Sequence, residues 1–329
     1  MSSAHRARAA ETCGGLRWFT HARRTRRAVR FARTAPVLQS ELMATFDLTR
    51  RQFLRGLAAA GLVGVSGGAA YASLFEITDY ELTETDIFIR ELPASFENFR
   101  IVQVSDVHHS SLVSLDEVRR VVALAQEARG DMVVLTGDYT TARRRYIEPC
   151  AEALGALEAP AGVWAVLGNH DYYTDGELTR RALVRRGIGV LDNAHTLITR
   201  GGTGAADALQ LAGVDDWSWG YADWEKALGK LDRTRPTLLL SHEPQVFDLP
   251  EVAGISLILS GHTHGGQVSL PFIGAPARFF SEFKYVRGRY EREGSQLYVS
   301  RGTGVVGLPI RFGARPEIAV LRLRRAAEQ

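Results

Sequence analysis

Beyond residue 93, apolar or β-branched runs of strand length alternate with segments whose apolar positions recur at the helical period. The runs predict strands at residues 101–104, 132–135, 163–167, 209–212, 237–240, 256–259, 296–299 and 318–323. The periodic segments predict helices at residues 114–128, 146–157, 176–186 and 221–231. This alternation indicates an α/β chain that is rich in β-strands.

Most of these apolar runs end abruptly in a polar cluster, and five of the clusters carry His, Asp or Asn side chains. The residues are Asp106, His108, Asp138, Asn169, His170, Asp171, His242, His262 and His264. In α/β sheets, ligands and catalytic groups gather outside the carboxyl ends of the strands. A single histidine in such a position is more often structural than a ligand, but the joint pattern predicts one shared site.

The residue types in these clusters suit a pair of transition-metal ions. Asp106 and His108 are two positions apart, so their side chains leave the strand end on the same side. Asp138 has two carboxylate oxygens and can bridge two cations. Cys13 and Cys150 are the only cysteines and lie far apart in the chain, so the donors are nitrogen and oxygen atoms. This donor set favours manganese, iron or zinc over magnesium or calcium.

In their order along the chain, the clusters resemble the calcineurin-like metallophosphoesterases. That family has Asp-x-His, Gly-Asp, Gly-Asn-His-Asp or Glu, an isolated His and Gly-His-x-His, and all five blocks occur here between residues 106 and 264. The resemblance implies a four-layer α/β/β/α sandwich. It also implies hydrolysis of phosphodiester or pyrophosphate bonds by a hydroxide that two divalent metal ions activate.

The resemblance also implies a role for each residue of the blocks. One metal would be held by Asp106, His108 and His264, the other by Asn169, His242 and His262, with Asp138 between them. His170 would be the catalytic histidine that protonates the leaving group, and Asp171 would orient it. The second block lacks the further Asp-Arg-Gly of the Ser/Thr phosphatases, so protein phosphatase activity is not expected.

The amino-terminal region predicts export. In residues 43–72, Arg50 and Arg51 precede a short, glycine-interrupted apolar stretch and a small-x-small site, which resembles a twin-arginine signal peptide. Residues 1–42 are interpreted as a non-native or disordered basic extension, and residues 73–329 as a single metallophosphoesterase domain. The alternative is an uncleaved helix that rests on a membrane.

Export would bring the chain to the twin-arginine machinery and then to the periplasm, the cell wall or the outer face of the cytoplasmic membrane. Expected partners are a phosphate-ester substrate, which could be lipid-linked or part of the wall, and a membrane or wall surface. Residues 73–329 carry 28 Lys and Arg against 34 Asp and Glu, so no nucleic acid partner is expected.

Alternative functions remain open at this point. They are a phosphomonoesterase, a nuclease, or a non-catalytic envelope-binding protein that keeps the metals. Trp217, Trp219 and Trp224 could line a substrate groove, but packing under a loop is favoured. His195 has no supporting context and is expected in a surface loop.

Overall fold

The computed structural model describes Gly68, Tyr71 and residues 75–200, 207–276 and 284–327. The basic extension and nearly all of the signal peptide predicted from the sequence lie outside these described residues, so both stay predictions. Within the described part of the chain, no helix is both long enough and apolar enough to cross a membrane.

In the described part of the chain, the first sheet has six strands. They are β1 (Glu81–Ile89), β2 (Arg100–Val104), β3 (Met132–Thr136), β4 (Val163–Val166), β5 (Gly189–Val190) and β12 (Glu317–Arg325). Their order in the sheet is β1-β12-β2-β3-β4-β5. Strands β2 to β5 pair in parallel, whereas β12 runs antiparallel to β2. The carboxyl ends of β2, β3 and β4 therefore meet at one edge.

The second sheet also has six strands. They are β6 (Ala194–Ile198), β7 (Leu209–Gly213), β8 (Thr237–Leu240), β9 (Leu257–Ser260), β10 (Gly288–Arg292) and β11 (Ser295–Val299). Their order is β10-β11-β9-β8-β7-β6, and the central strands β11, β9, β8 and β7 are parallel. The carboxyl ends of β8 and β9 again lie side by side.

From residue 75 onwards, the described residues form four α-helices beside the sheets: α1 (Leu115–Glu127), α2 (Ile147–Leu154), α3 (Asn169–Arg185) and α4 (Trp224–Leu228). Ser114 caps the amino-terminal end of α1 and forms a capping box with Glu117. Helix α3 is interrupted at Asp175, whose backbone is extended and whose side chain accepts a hydrogen bond from Leu178 N at 3.0 Å. The helix predicted at 176–186 is the second half of α3, and the sequence pattern missed the first half.

Successive side chains along the strands enter different apolar layers. In β8, Leu238 and Leu240 join the cluster between the two sheets, while Leu239 points to the cluster under α4. In β2, Ile101 lies between the sheets and Val102 packs on the helical side of the first sheet. Two sheets packed face to face with helices outside each give the predicted four-layer α/β/β/α sandwich, which is confirmed.

The strands that the sequence pattern missed lie mainly at sheet edges. Strand β1 alternates polar and apolar residues, and β10 is largely polar, so neither has the continuous apolar run of a strand buried on both faces. The expectation for His195 was wrong, since it lies on β6 with its Nδ1 3.0 Å from Ala227 O.

Candidate metal centre

The five polar clusters converge on one place because they follow strands whose carboxyl ends adjoin. The segments after β2 and β3 also pair with each other: Asp106 N donates to Gly137 O and His108 N donates to Asp138 O, both at 3.0 Å. From the second sheet, His262 N donates to Asp106 Oδ1 at 2.9 Å. The first two bonds join the segments after β2 and β3, and the bond to the Asp106 side chain connects the two sheets at the site.

Two groups of donor atoms result, and in each of them the ligand atoms lie within 4.8 Å of one another. We call Asp106, His108 and His264 the first cluster, and Asp138, His242 and His262 the second cluster. All of these side chains are buried except that of His262, which is half-buried. Each cluster could hold a metal ion.

The first cluster is compact. The Nε2 atoms of His108 and His264 are 2.9 Å apart, and His264 Nε2 is 3.4 Å from Asp106 Oδ1. His108 Nδ1, on the outer side of the ring, contacts Thr141 Oγ1 at 2.7 Å. That outer contact fixes the orientation of the imidazole, as outer partners do for metal-binding histidines.

The second cluster gathers around His242. Its Nε2 lies 3.1 Å from Asn169 Oδ1 and 3.2 Å from His262 Nδ1. On the outer side, His242 Nδ1 is 2.7 Å from the carbonyl oxygen of Thr136, which can only accept a hydrogen bond. Nδ1 must therefore carry a hydrogen, and Nε2 is the atom left to bind a cation.

Asp138 joins the two clusters. Its Oδ2 is 3.4 Å from Nε2 of His108 in the first cluster and 3.2 Å from Nε2 of His242 in the second. Its Oδ1 accepts a hydrogen bond from His170 N at 2.8 Å, which orients the carboxylate. One oxygen of Asp138 is thus within reach of donors from both clusters.

The charge states of these groups fit bound cations. Burial lowers the pKa of His108 and of His262 to about 3, so both imidazoles are neutral near pH 7 and offer lone pairs. Burial also raises the pKa of Asp106 to about 6. Where a neutral nitrogen and a carboxylate oxygen face each other without a hydrogen between them, they repel, and a divalent cation would relieve that repulsion.

His242 and Asp138 each stabilise the charged form of the other. Burial alone would lower the pKa of His242, but the Asp138 carboxylate outweighs burial and raises that pKa well above its ordinary value. Burial would likewise raise the pKa of Asp138, but the imidazoles led by His242 hold it below its ordinary value. In the absence of a cation, a proton on His242 therefore neutralises Asp138, and a bound cation would take its place.

The backbone at the site is held in an unusual conformation. Positive φ angles between 51° and 71° occur at Asp106, His108, Asp138, His262 and His264. Non-glycine residues seldom adopt this left-handed region, and such strain is concentrated at functional sites. The chain also passes close to the carboxylates: a Cβ added to Gly168 would lie 2.4 Å from Asp138 Oδ1.

His170 borders the first cluster without being part of it. Its ring meets the His108 ring edge-on with centroids 4.9 Å apart, and the side chain is half-buried. It stands at the first turn of α3, one position after Asn169. The first cluster is buried and the His170 side chain beside it is partly exposed, so we call the position of His170 the mouth of the site.

Asp171 does not have the contacts that the sequence interpretation gave it. Its carboxylate accepts hydrogen bonds from the backbone N–H groups of Asp138, Tyr139 and Gly168 at 2.8, 2.9 and 3.0 Å. Both oxygens are therefore engaged with the backbone. The expectation that Asp171 orients the His170 ring is corrected: it positions the segment that carries Asp138. Burial raises the pKa of Asp171 to about 8.

Sequence reasoning missed a buried arginine behind the first cluster. Arg311 is fully buried, and its Nη2 lies 3.4 Å from His264 Nδ1. Its guanidinium donates to the carbonyl oxygens of Ala314 at 2.7 Å and Gly302 at 3.1 Å. Burial lowers its pKa to about 10, so it remains positively charged at neutral pH. No motif marks such a residue, because its partners are backbone carbonyls.

Two of the three tryptophans do not pack under a loop as expected. Trp217 and Trp219 are 47% and 55% exposed, whereas Trp224 packs against the apolar cluster that covers the second sheet. The loop that carries them begins at Asp215 and Asp216, whose side chains are buried. Burial raises the pKa of Asp216, and its charge acts on His242 in the second cluster.

Comparison with known proteins agrees with this geometry. A model of the calcineurin-like phosphoesterases matches residues 99–266. The metallophosphoesterase YkuE of Bacillus subtilis (strain 168) is 35% identical over 283 residues, which cover 84% of this chain and 98% of that protein. Phosphodiesterase YaeI of Escherichia coli (strain K12) is 30% identical over 284 residues, covering 84% of this chain and 99% of that protein.

Among solved structures, a dimetal phosphatase from Danio rerio is similar with a TM-score of 0.45 and 13% identity, covering 69% of this chain and 99% of that chain. The family model alone spans just over half of the present sequence. The chain therefore belongs to the calcineurin-like phosphoesterase family, whose members are hydrolases that use divalent metals.

Proposed function

We propose that this protein is a phosphodiesterase that works with two divalent cations, one in each cluster. The observation that carries the proposal is the position of Asp138 Oδ2, within 3.4 Å of imidazole nitrogens from both clusters. A carboxylate in this position can be shared by two cations. The relative named phosphodiesterase YaeI, which is 30% identical over 84% of this chain, supports the diester as substrate.

The metals would be held by the residues of the two clusters. Asp106, His108 and His264 would bind one ion, and His242, His262 and Asn169 the other, with Asp138 between them. The abundance of imidazole donors favours manganese, iron or zinc. In a site of this kind, a cation pair lowers the pKa of a water and neutralises charge on the phosphoryl oxygens.

The protein's own groups orient the reaction. His170 would protonate the leaving oxygen, because it borders the first cluster and is reached from the mouth of the site. Its backbone N–H holds Asp138 Oδ1, so the proton donor and the shared carboxylate are fixed relative to each other. Asp171 keeps this segment in place through three backbone amides.

The test is hydrolysis of bis-p-nitrophenyl phosphate by the manganese-loaded protein, compared with the monoester p-nitrophenyl phosphate. We expect the diester to be the better substrate. A preference for the monoester would indicate a phosphomonoesterase instead. If neither ester is hydrolysed although two metals are bound, a non-catalytic binding protein is the better interpretation.

His170→Ala separates catalysis from metal binding. Because His170 is next to the metal-binding residues without belonging to either cluster, we expect the variant to retain both metals by elemental analysis. Its kcat should fall by about 10²–10⁴, the range of a lost general acid. An unchanged kcat would remove His170 from the mechanism, and loss of a metal would make it a ligand.

We further infer that the enzyme acts on an envelope substrate after export by the twin-arginine route. This rests on the sequence of residues 43–72, in which Arg50 and Arg51 precede the apolar stretch. Replacing both arginines by lysine should leave the protein in the cytoplasmic fraction. An unchanged distribution between the fractions would contradict export by this route.

A further inference from the structure

Exposed aromatic side chains continue outward from the candidate proton donor. The rings of His170 and Tyr173 meet edge-on with centroids 5.4 Å apart, and Tyr173 meets Trp219 in the same way at 4.2 Å. Tyr173 is 48% exposed and Trp219 is 55% exposed. We call Tyr173 and Trp219 the aromatic shelf. It begins at the mouth of the metal site and leads away from it.

The shelf combines one residue from each half of the sandwich. Tyr173 lies in the first part of α3, which follows β4 of the first sheet. Trp219 lies in the loop that follows β7 of the second sheet. Two distant parts of the chain therefore bring large, partly exposed rings into contact beside the reacting groups.

The loop under Trp219 is held in place by buried acids. Asp216 Oδ1 accepts hydrogen bonds from Trp219 N at 2.7 Å and from Ser218 N at 3.2 Å. Asp215 Oδ2 accepts from Tyr221 N at 2.9 Å, and the Ser218 hydroxyl donates to the Glu243 carboxylate. These bonds therefore fix the backbone that presents the exposed indole.

An exposed indole on a fixed backbone is suited to binding a ring. Tyrosine and tryptophan offer a large apolar face with few rotatable bonds, and their rings attract other aromatic rings beyond simple burial. Exposed apolar side chains that lie next to one another often mark a ligand-binding or interaction site. The direct contact of the shelf with His170 makes a substrate the natural occupant.

We propose that Tyr173 and Trp219 form a subsite that stacks on an aromatic ring in the leaving group of the phosphodiester. This inference rests on the proposed function, because His170 is the residue that would protonate the leaving oxygen. A leaving group that receives its proton from His170 would lie next to Tyr173, whose ring contacts His170, and within reach of Trp219. The subsite thus selects leaving groups in which a short linker connects the aromatic ring to the scissile oxygen.

Binding of phosphonates tests the subsite without turnover, because the carbon–phosphorus bond is not a substrate for this hydrolysis. The probes are benzylphosphonate, cyclohexylmethylphosphonate and methylphosphonate, titrated calorimetrically into the manganese-loaded full chain. We expect benzylphosphonate to bind roughly five- to tenfold more tightly than methylphosphonate, because stacking of one ring contributes about that much affinity. Equal affinity for these two would overturn the proposal, and so would equal affinity for the benzyl and cyclohexylmethyl compounds.

Matched variants locate the effect. Trp219→Ala should abolish the preference for the benzyl compound, and Trp219→Phe should restore most of it. Tyr221→Ala is the control, because Tyr221 is 78% exposed on the same loop and should leave the preference unchanged. A preference that survives Trp219→Ala, or that Tyr221→Ala removes equally, would overturn the assignment.

The outcome for the subsite is separable from that for the reaction. If diesters are hydrolysed but no ring preference is found, the subsite is wrong and the proposed function stands. If the ring preference depends on Trp219 but no diester is hydrolysed, the binding of a ring is supported and the proposed reaction fails.

Discussion

Asp138 is close to both clusters, but the two clusters differ in the charge that surrounds them. Behind the first cluster, the buried guanidinium of Arg311 lies 3.4 Å from His264 Nδ1. Beside the second cluster, the buried carboxylate of Asp216 acts on His242 and helps to raise its pKa. A nearby positive charge opposes a bound cation and a negative charge favours it. We therefore expect the second cluster to bind its cation more tightly than the first.

Removing the shared residue should abolish the difference between the clusters altogether. In Asp138→Ala, both sites lose a ligand at once, so we expect the bound metal to fall from two equivalents towards none. Turnover should drop by more than about 100-fold, because loss of a residue that only supports a metal ligand typically costs up to about that much. Elemental analysis after gel filtration measures the first effect, and a variant that keeps two equivalents would show that Asp138 is not shared.

Single-cluster variants should split the pair. His108→Ala removes a first-cluster donor and should leave one tightly bound equivalent. His242→Ala removes the central donor of the second cluster, and it should leave one equivalent that is lost more easily on dialysis. The comparison is made by dialysing both variants against the same chelator concentration. Equal retention, or the reverse order, would contradict the electrostatic difference between the clusters.

The pH dependence of metal binding should also distinguish the clusters. In the cation-free protein the raised pKa of His242 means that the second cluster must release a proton on binding, whereas His108 is already neutral above about pH 3. At pH values below the pKa of His242, the affinity for the more tightly bound metal should rise about tenfold per pH unit, because binding releases one proton. Calorimetry between pH 7 and pH 8 in buffers of different ionisation enthalpy measures this proton.

The first cluster provides the internal control for that measurement. Asp106 has a pKa of about 6, so above pH 7 its carboxylate is already ionised. The weaker binding step should therefore be nearly independent of pH in this range. A proton released on the weaker step, and none on the tighter one, would reverse the assignment of the two steps.

The smallest effect should come from the surrounding charge alone. Asp216→Asn removes one negative charge near the second cluster without removing a ligand, so we expect its affinity to fall by roughly three- to tenfold. Asp248→Asn is a suitable control, because that carboxylate pairs with Lys284 at the surface. If the two variants bind metal equally well, the charge of Asp216 does not tune the second cluster.

The sequence predicted most of the fold because buried parallel strands leave a continuous apolar run. The eight predicted strands all occur, with small shifts at the ends of some, such as 163–167 against Val163–Val166. Edge strands such as Glu81–Ile89 were missed, because their outer faces are polar and their pattern resembles a loop. The first half of α3 was missed because Asp175 interrupts the helical period.

At the candidate site, the sequence predicted which residue types converge but not how they are supported. Arg311 and Asp216 belong to no motif, since their partners are backbone groups brought together only by folding. Asp171 was expected to orient His170, yet its oxygens accept hydrogen bonds from backbone amides. The exposure of Trp219 could not be predicted from the sequence, because tryptophan side chains in proteins are on average highly buried.

The most direct test is anomalous diffraction from crystals of the manganese-loaded protein, measured near the manganese absorption edge. Two peaks are expected, one among Asp106, His108 and His264 and one among His242, His262 and Asn169, with the Asp138 carboxylate in contact with both. A single peak, or two peaks of which only one touches Asp138, would contradict the shared carboxylate from which the proposed reaction follows.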